Sequence, residues 1–420
     1  MDFCSKEKRN KLRVLFISYN GLLEPLLYSQ GITYLRELSR ELNIQIVVLS
    51  FEKINFFINS KQRAKIRNLK EKLLHDNIEW YWLRYHKSPA VLSSLYDIFL
   101  GIFVSSILVL RKKGSFIHAR SYVPATIALI LSKVFKIKYI FDMRGFMIDD
   151  YAALGIISKE GLIKRFAKLI EKAMLKSANH IVVLTNESLK ALTDLTGAGI
   201  NKYKIAEVIP CCVDTKRFSL QENKDPVLLK RLGLENKFVF VYAGSLGKLY
   251  QLDKMLDFFS IAYTFIPNAY FLILTPDIQQ IVNEGLRYKD LFKNIKYLRI
   301  NPEEIEKYIA LGDVGIAFYL SSFSRKATCP TKIGEYLACG VPFVVNAGVG
   351  DTEEWINRYK IGVILEDFKT KCYTEAINKI LELVNDRISL RKRCRQAANE
   401  LLALSIAKER YTEIYNSLLI

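Results

Sequence analysis

The segment with the most chemical content is PTKIGEYLACGVPFVVNAGVGD, residues 330–351. Pro330 suits the first turn of a helix, and Thr331 can cap that helix or bind a ligand with its hydroxyl. Lys332 and Glu335 are three residues apart, so a helix places both on one face. Free N–H groups at the helix start, with the lysine beside them, can bind phosphate, and the carboxylate can accept hydrogen bonds from a ribose diol. The alternative is an ordinary salt bridge between the two side chains, and spacing alone leaves both open.

A second polar pair follows an apolar run in FDMRGF, residues 141–146. Asp142 and Arg144 stand at the end of a predicted strand and just before Gly145. Ligands of open α/β sheets bind at the carboxyl ends of the strands, which favours a site role for both residues. The alternative is a salt bridge that braces the loop.

Apolar runs alternate with longer amphipathic stretches in the first half of the chain. Strands are predicted at 13–18, 44–50, 115–120, 138–143 and 180–185, and helices at 30–42, 60–75, 123–135 and 161–176. Alternating strands and helices indicate a parallel sheet that is covered on both faces.

The pattern restarts after an irregular connector at 204–218. Further strands are predicted at 237–245, 269–275, 296–300, 313–319 and 341–346, and the last segment, 388–420, reads as two helices. The predicted fold is therefore α/β, with two doubly wound Rossmann-like parallel-sheet domains that face a cleft. We place the N-terminal domain at 1–212 and the C-terminal domain at 213–402, with a last helix at 403–420 that packs back on the first domain.

The segment at residues 330–351 resembles a motif of a known protein family. "PTKIGEYLACGVPFVV", followed by "GVGD", is similar to the donor-binding motif of group 1 glycosyltransferases, or glycosyltransferase family 4, in the sub-branch with a P-x-K-x-x-E-Y pattern. These proteins have the GT-B fold. The resemblance implies that Glu335 binds the nucleotide ribose and that Lys332 neutralises the diphosphate. The family usually has a second glutamate eight residues before Glu335, a position that Ala327 occupies here, and the sub-branch commonly lacks that glutamate. No residue is therefore assigned to bind the donor sugar.

Other segments extend the resemblance over nearly the whole chain. "VYAGSLGKLYQLDKMLDFF" (241–259) is similar to a Gly-rich loop that faces the phosphates, and "VIPCCVDTKRF" (208–218) to the interdomain connector. "NGLLEPLLYSQGITYL" (20–35), "HARSYVPA" (118–125) and "FDMRGF" resemble N-domain loops that line the cleft. The Arg and Lys that many members have in the Gly-rich loop are replaced by Ser245 and Tyr250, with Lys248 as an approximate substitute.

The resemblance implies a set of site residues. The catalytic residues are Asp142, Arg144, Lys332 and Glu335. The donor site contains Gly244, Ser245, Gly247, Lys248, Arg299, Pro330 and Thr331 together with Lys332 and Glu335. The acceptor side contains Gly21, Gln30, Arg120 and Ser121. Asp149 and Asp150 are adjacent and form no D-x-D, so we expect no metal and no cofactor. The resemblance implies that the donor is a nucleoside diphosphate sugar, and we expect it to be of UDP type.

The net charge of +19 is concentrated in one half, because residues 1–210 contain 33 Lys and Arg but 18 Asp and Glu. Basic clusters lie at 6–11, 61–70 and 111–113. In the helix at 161–176, Leu162, Phe166 and Leu169 form one side and lysines fill the other, which reads most simply as a cationic solvated face. Several such segments favour an anionic partner, and without a nucleic-acid-binding motif lipid is favoured.

Residues 90–110 are almost long enough to cross a bilayer, but they contain Asp97, Gly101 and four serines. We therefore expect a buried or interfacial helix rather than a span. Seven cysteines without a C-x-x-C, and four histidines, argue against a disulfide scaffold and a zinc site and fit a reducing cytosol.

The sequence thus predicts a retaining, metal-independent glycosyltransferase of bacterial surface polysaccharide synthesis. Its acceptor is expected to be a lipid-linked saccharide, and the protein to be cytoplasmic and peripheral at the inner face of the membrane, with no nucleic-acid partner. Two alternatives stay open. A nucleotide-sugar epimerase of GT-B fold would alter the donor without an acceptor, and a non-catalytic basic binding protein would show salt-dependent binding without turnover.

Overall fold

The fold was analysed in a computed structural model that describes residues 12–24, 27–53, 60–86, 88, 90–112, 114–196, 205–288 and 291–419. Within these ranges the strands form two parallel sheets, one of seven and one of six strands. Helices follow the strands along the chain, so both domains are doubly wound and the predicted fold class is confirmed. The basic cluster at 6–11 lies outside the described residues.

The N-terminal sheet has the strand order β3-β2-β1-β4-β5-β6-β7. Its strands are β1 (Arg13–Ser18), β2 (Gln45–Glu52), β3 (Ile78–Arg84), β4 (Phe116–Arg120), β5 (Lys138–Asp142), β6 (His180–Val183) and β7 (Ile205–Val208). Strands β3 and β7 were not predicted, and β7 lies inside the connector that we expected to be irregular. Both are edge strands with one neighbour each, so their apolar patterns are weaker than those of the central strands.

The helices of this domain are α1 (Thr33–Glu41), α2 (Ser60–His75), α3 (Ala90–Lys112), α4 (Tyr122–Phe135), α5 (Met147–Ala153), α6 (Leu162–Ser177) and α7 (Asn186–Thr196). Helix α4 packs between α3 and α6. Helix α3 is docked on the domain by one side, because Asp97 is fully buried and accepts a 2.8 Å hydrogen bond from Tyr19 Oη. Gly101 on the same side allows close packing, since a Cβ there would lie 2.5 Å from Ile127 Cδ1.

Helix α6 turns its apolar side outward. Lys168 points toward the domain, where its Nζ lies 2.6 Å from Asp149 Oδ2 and 2.8 Å from Glu171 Oε2. Phe166 and Leu169 are exposed. Arg165 and Lys172 are exposed, as the simple reading of a solvated cationic face requires, but two carboxylates hold Lys168 inward and the apolar side is exposed as well.

The C-terminal sheet has the order β10-β9-β8-β11-β12-β13. Its strands are β8 (Phe238–Ala243), β9 (Ala269–Leu274), β10 (Ile295–Leu298), β11 (Val314–Ala317), β12 (Phe343–Asn346) and β13 (Gly362–Leu365). Its helices are α8 (Pro226–Leu232), α9 (Leu252–Phe265), α10 (Ile278–Gly285), α11 (Ile305–Ile309), α12 (Thr331–Ala338), α13 (Thr352–Tyr359), α14 (Thr370–Leu383) and α15 (Arg387–Leu401). Strand β13, again at an edge, was not predicted.

The last helix, α16 (Leu404–Leu419), returns to the N-terminal domain. Tyr411 and Tyr415 are fully buried there. The ring of Tyr411 stacks on Tyr34 of α1 with centroids 4.8 Å apart, and the Tyr415 hydroxyl lies 2.8 Å from His118 Nδ1 in β4. The end of the chain is therefore part of the first domain's core.

The loops that follow strands of the two sheets meet between the domains. Asp150 of α5 forms an ion pair with Arg325, which lies between β11 and α12. The Asp351 carboxylate, just before α13, accepts hydrogen bonds from the backbone N–H groups of Asn186 and Glu187 at 2.8 and 3.0 Å. An acidic residue of one domain thus caps the first turn of α7 in the other, and the carboxyl ends of both sheets border one cleft.

Candidate active site

Helix α12 begins at the domain junction with unpaired N–H groups. Its N-cap residue is Pro330, and no side chain caps the helix. Ile333, Tyr336 and Leu337 are fully buried and fix the helix against the C-terminal core. In the first turn the Ile333 N–H donates to the Pro330 carbonyl at 3.0 Å, whereas the N–H groups of Thr331 and Lys332 have no hydrogen-bond partner among the described residues. These two groups remain available to an anion, which the helix dipole also favours.

The Lys332 ammonium lies in a cage of tyrosine rings. Its Nζ donates a 2.8 Å hydrogen bond to Tyr242 Oη and lies 3.9 Å from the ring centres of both Tyr242 and Tyr250. Tyr242 Oη in turn donates to the carbonyl of Ser245 at 2.5 Å. Gly244, with φ of +127°, lies close enough that a Cβ would be 3.4 Å from Lys332 Nζ. The donor helix and the Gly-rich loop after β8 thus form one site.

Burial works against both charges of the donor motif. It lowers the pKa of Lys332 well below its ordinary value, although Glu335 opposes this. It also raises the pKa of Glu335 to about 7, although Lys332 and Arg217 oppose the shift. Among the described residues the two side chains form no ion pair with each other, so the salt-bridge alternative does not hold. A bound diphosphate would supply the counter-charge that the lysine lacks.

On the other side of the cleft, Asp142 is enclosed by three basic side chains. Its Oδ2 lies 3.3 Å from Arg120 Nη1 and 3.5 Å from His118 Nε2, and its Oδ1 lies 3.6 Å from Arg144 Nη1. Burial raises the pKa of Asp142, but Arg144, His118 and Arg120 outweigh it and hold the pKa below its ordinary range. Asp142 is therefore an ionised carboxylate that orients its neighbours.

Arg144 is the member of this cluster that reaches the cleft. Asp142 has no exposed surface, whereas the Arg144 side chain is 13% exposed. Arg144 takes a left-handed conformation with φ of 55°, and its Nη2 donates a 3.2 Å hydrogen bond to Cys211 Sγ. We expected Asp142 and Arg144 to orient the acceptor or the leaving phosphate, and because Asp142 is buried, its part in this would be exerted through Arg144.

The remaining donor-site residues lie on the loops at the same sheet edge. Ser245, Gly247 and Lys248 are exposed in the loop after β8. Asp277 pins this loop by accepting a 2.8 Å hydrogen bond from the Leu246 N–H. Arg299 follows the edge strand β10, is exposed, and donates to the Pro276 carbonyl at 2.7 Å. Thr331 and Pro330 stand at the start of α12, beside Lys332.

The expected acceptor-side residues have structural partners. Gln30 is buried and its Nε2 donates to the Cys212 carbonyl at 2.6 Å, which ties the first loop to the connector. Gly21 packs on Glu52, where a Cβ would lie 2.3 Å from Oε2. The N–H of Ser121, with φ of 78°, donates to the Asp142 carbonyl at 2.7 Å. With Arg120 held by Asp142, these residues shape the cleft more than they face it.

Several residues of the site were not found from the sequence. They are His118, Tyr242, Cys211, Cys329 and Asp351, which lie in or beside the segments that drew attention in the sequence but were given no site role there. Each acts through a partner far along the chain, so no local spacing marks it. Tyr250 carried the one signal, because it stands where relatives have a basic residue.

Within the described residues, no group of three or more His, Cys, Asp or Glu side chains is arranged to hold a metal ion. The adjacent Asp149 and Asp150 are each engaged with cations. Asp149 pairs with Lys164 and Lys168, and Asp150 with Arg325.

Two Rossmann-like domains with a donor-type helix at their junction define the GT-B class of proteins. Residues 226–401 match the family described as glycosyl transferases group 1. This segment contains the Gly-rich loop, Lys332 and Glu335. The C-terminal domain is therefore similar to that of the group 1 glycosyltransferases.

Solved structures support the same fold over both domains. Sucrose-phosphate synthase from Thermosynechococcus elongatus is similar with a TM-score of 0.69 at 14% identity, covering 97% of this chain and 99% of that one. Anabaena HepE, solved in complex with UDP, is similar with a TM-score of 0.69 at 13% identity, covering 97% of this chain and 100% of that one. WaaG, a glycosyltransferase involved in lipopolysaccharide biosynthesis, is similar with a TM-score of 0.66 at 13% identity, covering 96% of this chain and 99% of that one. By sequence, no curated protein matches significantly.

Proposed function

We propose that the protein transfers a sugar from a nucleoside diphosphate donor, of UDP type, to a saccharide acceptor, with retention of configuration and without a metal. The observation that carries this proposal is the meeting of the α12 N-terminus, Lys332 and the Gly244 loop at one point of the cleft. The UDP bound in HepE, a protein of the same fold, supports the choice of nucleotide.

In this mechanism the C-terminal domain meets the charge of the leaving diphosphate. The N–H groups of α12, the Gly-rich loop and the Lys332 ammonium stabilise the charge that develops as the sugar–phosphate bond breaks. Glu335 accepts hydrogen bonds from the ribose diol. Arg144, oriented by Asp142, supplies a cation from the N-terminal side, where the acceptor binds. Asp142 is enclosed, so it is not a nucleophile, and retention rests on the family resemblance alone.

A screen of nucleotide sugars tests the proposal. The purified protein should be stabilised in a thermal-shift assay by one class of donor, and release of the nucleoside diphosphate should then require a saccharide acceptor. A changed nucleotide sugar formed without acceptor, detected by NMR, would favour the epimerase. Binding without turnover under all conditions would favour the non-catalytic protein.

We further propose that the acceptor is lipid-linked and that the protein works at the inner face of a membrane. Helices α3, α4 and α6 lie side by side and expose large apolar residues. The most exposed of these are Leu92, Leu95, Phe99, Phe103, Leu110, Val134, Leu162, Phe166 and Leu169. We call this surface the apolar face. Its size exceeds what isolated surface residues account for and fits insertion into the headgroup region.

The charges around the apolar face fit anionic lipid. The sequences of the three helices contain two acidic residues, Asp97 and Glu171, and both are buried. Exposed cations on or beside the helices are Arg111, Lys133, Lys136, Arg165, Lys172 and Lys176. Within the three helices no carboxylate is exposed, although Glu160 just before α6 is, and the excess of exposed cations favours a bilayer with anionic headgroups over a protein partner.

Residues Val91–Arg111 are long and apolar enough to cross a membrane by length and composition. Two contacts support a helix that lies in the interface instead. The Asp97 carboxylate accepts from Tyr19 Oη at 2.8 Å and lies 2.6 Å from His86 Nδ1, so the helix is tied to its domain at mid-length. The protein is then peripheral and cytoplasmic, and the involvement of WaaG, a protein of similar fold, in lipopolysaccharide biosynthesis supports a place in surface polysaccharide synthesis.

A further inference from the structure

Two cysteines from distant parts of the chain meet at the junction of the domains. Cys211 lies in the connector after β7, and Cys329 lies two residues before α12. The Cys211 N–H donates a 3.2 Å hydrogen bond to Cys329 Sγ, and Arg144 Nη2 donates another of 3.2 Å to Cys211 Sγ. Both are buried and free. No step of the proposed transfer uses either sulfur.

The surroundings make one of these thiols nucleophilic. Its hydrogen bond with Cys329 lowers the pKa of Cys211 to about 6, with burial opposing and the Arg144 guanidinium reinforcing the shift. The pKa of Cys329 is raised well above its ordinary value by the same contact and by burial. Cys212, the next residue, is equally buried, yet burial raises its pKa to about 12. Of the three thiols, Cys211 is therefore the one whose surroundings favour the thiolate, the nucleophilic form.

We propose that Cys211 and Cys329 are a peroxide-sensitive pair that forms a reversible disulfide between the connector and the donor loop. In the first step the Cys211 sulfur attacks a hydroperoxide, so that an S–O bond forms and the O–O bond breaks. The departing oxygen takes a proton and leaves as water or an alcohol. In the second step the Cys329 sulfur attacks the sulfenic acid sulfur, an S–S bond forms, and hydroxide leaves with the Cys329 proton as water. Two thiols and one hydroperoxide thus give one disulfide, one alcohol or water, and one further water.

The cross-link would join the two domains at the floor of the cleft. The connector is anchored to the first sheet, because the Ile209 N–H donates to the Val183 carbonyl at 2.8 Å. Cys329 immediately precedes the helix that holds the diphosphate in the proposed function. A covalent tie there restricts the domain separation that donor exchange needs, and it removes the sulfur partner of Arg144. This consequence for transfer rests on the proposed function, whereas the disulfide itself does not.

The test treats the full-length protein with hydrogen peroxide and digests it with trypsin without reduction. Mass spectrometry should find peptide 205–216 linked to peptide 327–332, with loss of the link after dithiothreitol. Because Cys211 and Cys212 share a peptide, Cys212→Ser is compared with Cys211→Ser, and the link should persist in the first and disappear in the second. In Cys329→Ser, dimedone should label the 205–216 peptide as a trapped sulfenic acid.

The outcomes separate the cross-link from the transferase activity. A link that runs through Cys212, or a wild-type protein without the link, overturns the proposal, and this measurement needs no donor. If the link forms but transfer is unchanged, the control of activity is overturned. Transfer that falls on oxidation and returns with dithiothreitol, in both the wild type and Cys212→Ser, supports the whole proposal.

Discussion

At the donor site, single residues hold charge where water cannot stabilise it. Burial disfavours the Lys332 ammonium and the Glu335 carboxylate, and the two do not pair. Two ring centres at 3.9 Å and the phenol oxygen of Tyr242 partly offset this cost for the ammonium. A diphosphate brings the charge opposite to that of the Lys332 ammonium, whereas the Glu335 carboxylate gains hydrogen bonds from the ribose diol instead of a counter-charge. The site is therefore built for a dianionic ligand at some expense of stability.

Removing either charge should impair transfer and spare the fold. Lys332→Ala and Glu335→Ala each lose a contact to the leaving group or its ribose, which should raise the barrier by about 2–4 kcal/mol in kcat/KM. Initial rates measure the loss, and thermal unfolding checks the fold. The control is the exposed pair Glu304 and Lys307, which has the same spacing and a 3.4 Å ion pair, and whose alanine variants should transfer normally. Near-normal rates in both site variants would contradict the donor-site assignment.

Glu335 should make stability and donor binding depend on pH in opposite directions. Its pKa is about 7 in the folded protein, above the ordinary 4.5, so the folded state binds the extra proton. The contribution of Glu335 to the free energy of unfolding is fully present below pH 4.5, and it is lost as the pH rises through about 7. Glu335→Gln should therefore raise Tm relative to wild type more at pH 8 than at pH 5, while it weakens donor binding.

Unfolding and donor titrations at the two pH values check this prediction. Wild-type donor affinity should fall as the pH drops below about 7, because a protonated Glu335 accepts fewer hydrogen bonds from the ribose. The Gln variant should show a flatter profile. Equal Tm differences at both pH values would mean that the carboxyl is ionised throughout.

At the scale of elements, the central strands were all predicted, whereas of the four edge strands in the described residues only β10 was. Strand β1 was predicted with the observed bounds, because both its faces are buried and its residues are almost all apolar. Strands β3, β7 and β13 have one neighbour each, so their patterns resemble those of loops. For α6, the spacing predicted which residues form the apolar side but not whether that side faces the domain or the solvent. The orientation depends on Asp149 and Glu171, whose carboxylates pair with Lys168.

The same division holds for the site. Lys332 and Glu335 lie one turn apart in a single helix, so local spacing reveals them. The tyrosine cage comes from β8 and its following loop, and His118 meets Tyr415 almost 300 residues away in sequence. Contacts of this kind depend on how two sheets and a returning helix pack, which spacing within one segment does not encode.

The start of α12 and the loop after β8 should suffice to neutralise a diphosphate without a metal. N–H groups, the Lys332 ammonium and Lys248 supply the positive charge that a divalent ion supplies elsewhere. Transfer should therefore survive excess EDTA, measured as nucleoside diphosphate release. Adding Mg²⁺ or Mn²⁺ should give no gain. Activity that is lost with EDTA and restored by either ion would mean that the phosphates are held differently.

At the scale of the whole molecule, the cap across the domains should control their separation. Asp351→Ala removes a carboxylate that accepts from two N–H groups of α7, which should cost about 1 kcal/mol. Amide hydrogen exchange at residues 186–190 should rise, and small-angle scattering should show a larger radius of gyration.

The control is Asp225→Ala, which removes a cap inside one domain. Asp225 accepts from Val227 and Leu228 at 2.9 and 3.0 Å, so the local loss is similar. Stability should fall by a comparable amount without a change in the radius of gyration. If the radius of gyration changes equally in both variants, or in neither, the Asp351 cap does not control the separation of the domains.

The apolar face of α3, α4 and α6 should bind the protein to anionic vesicles in two separable ways. Each cation near the bilayer contributes about 1 kcal/mol, and this part fades in 1 M salt, where the Debye length is about 3 Å. Inserted side chains leave a remainder that resists salt. Phe99→Ser combined with Phe166→Ser should abolish that remainder in flotation assays, because both rings are exposed and their loss leaves the core intact.

The charged part needs a different variant, and the inward pairing of Lys168 decides which one. Reversing Lys168 would place three carboxylates together and damage the fold, so Arg165→Glu with Lys172→Glu is the cleaner change, since both are exposed. It should weaken binding at low salt and leave the salt-resistant part unchanged. For the variant that combines Phe99→Ser with Phe166→Ser, the matched control is Val227→Ser with Ile388→Ser, which are 75% and 74% exposed on the other domain. No preference for vesicles with phosphatidylglycerol over pure phosphatidylcholine would contradict the lipid assignment, and a need for detergent after salt and alkaline washes would make α3 a true span.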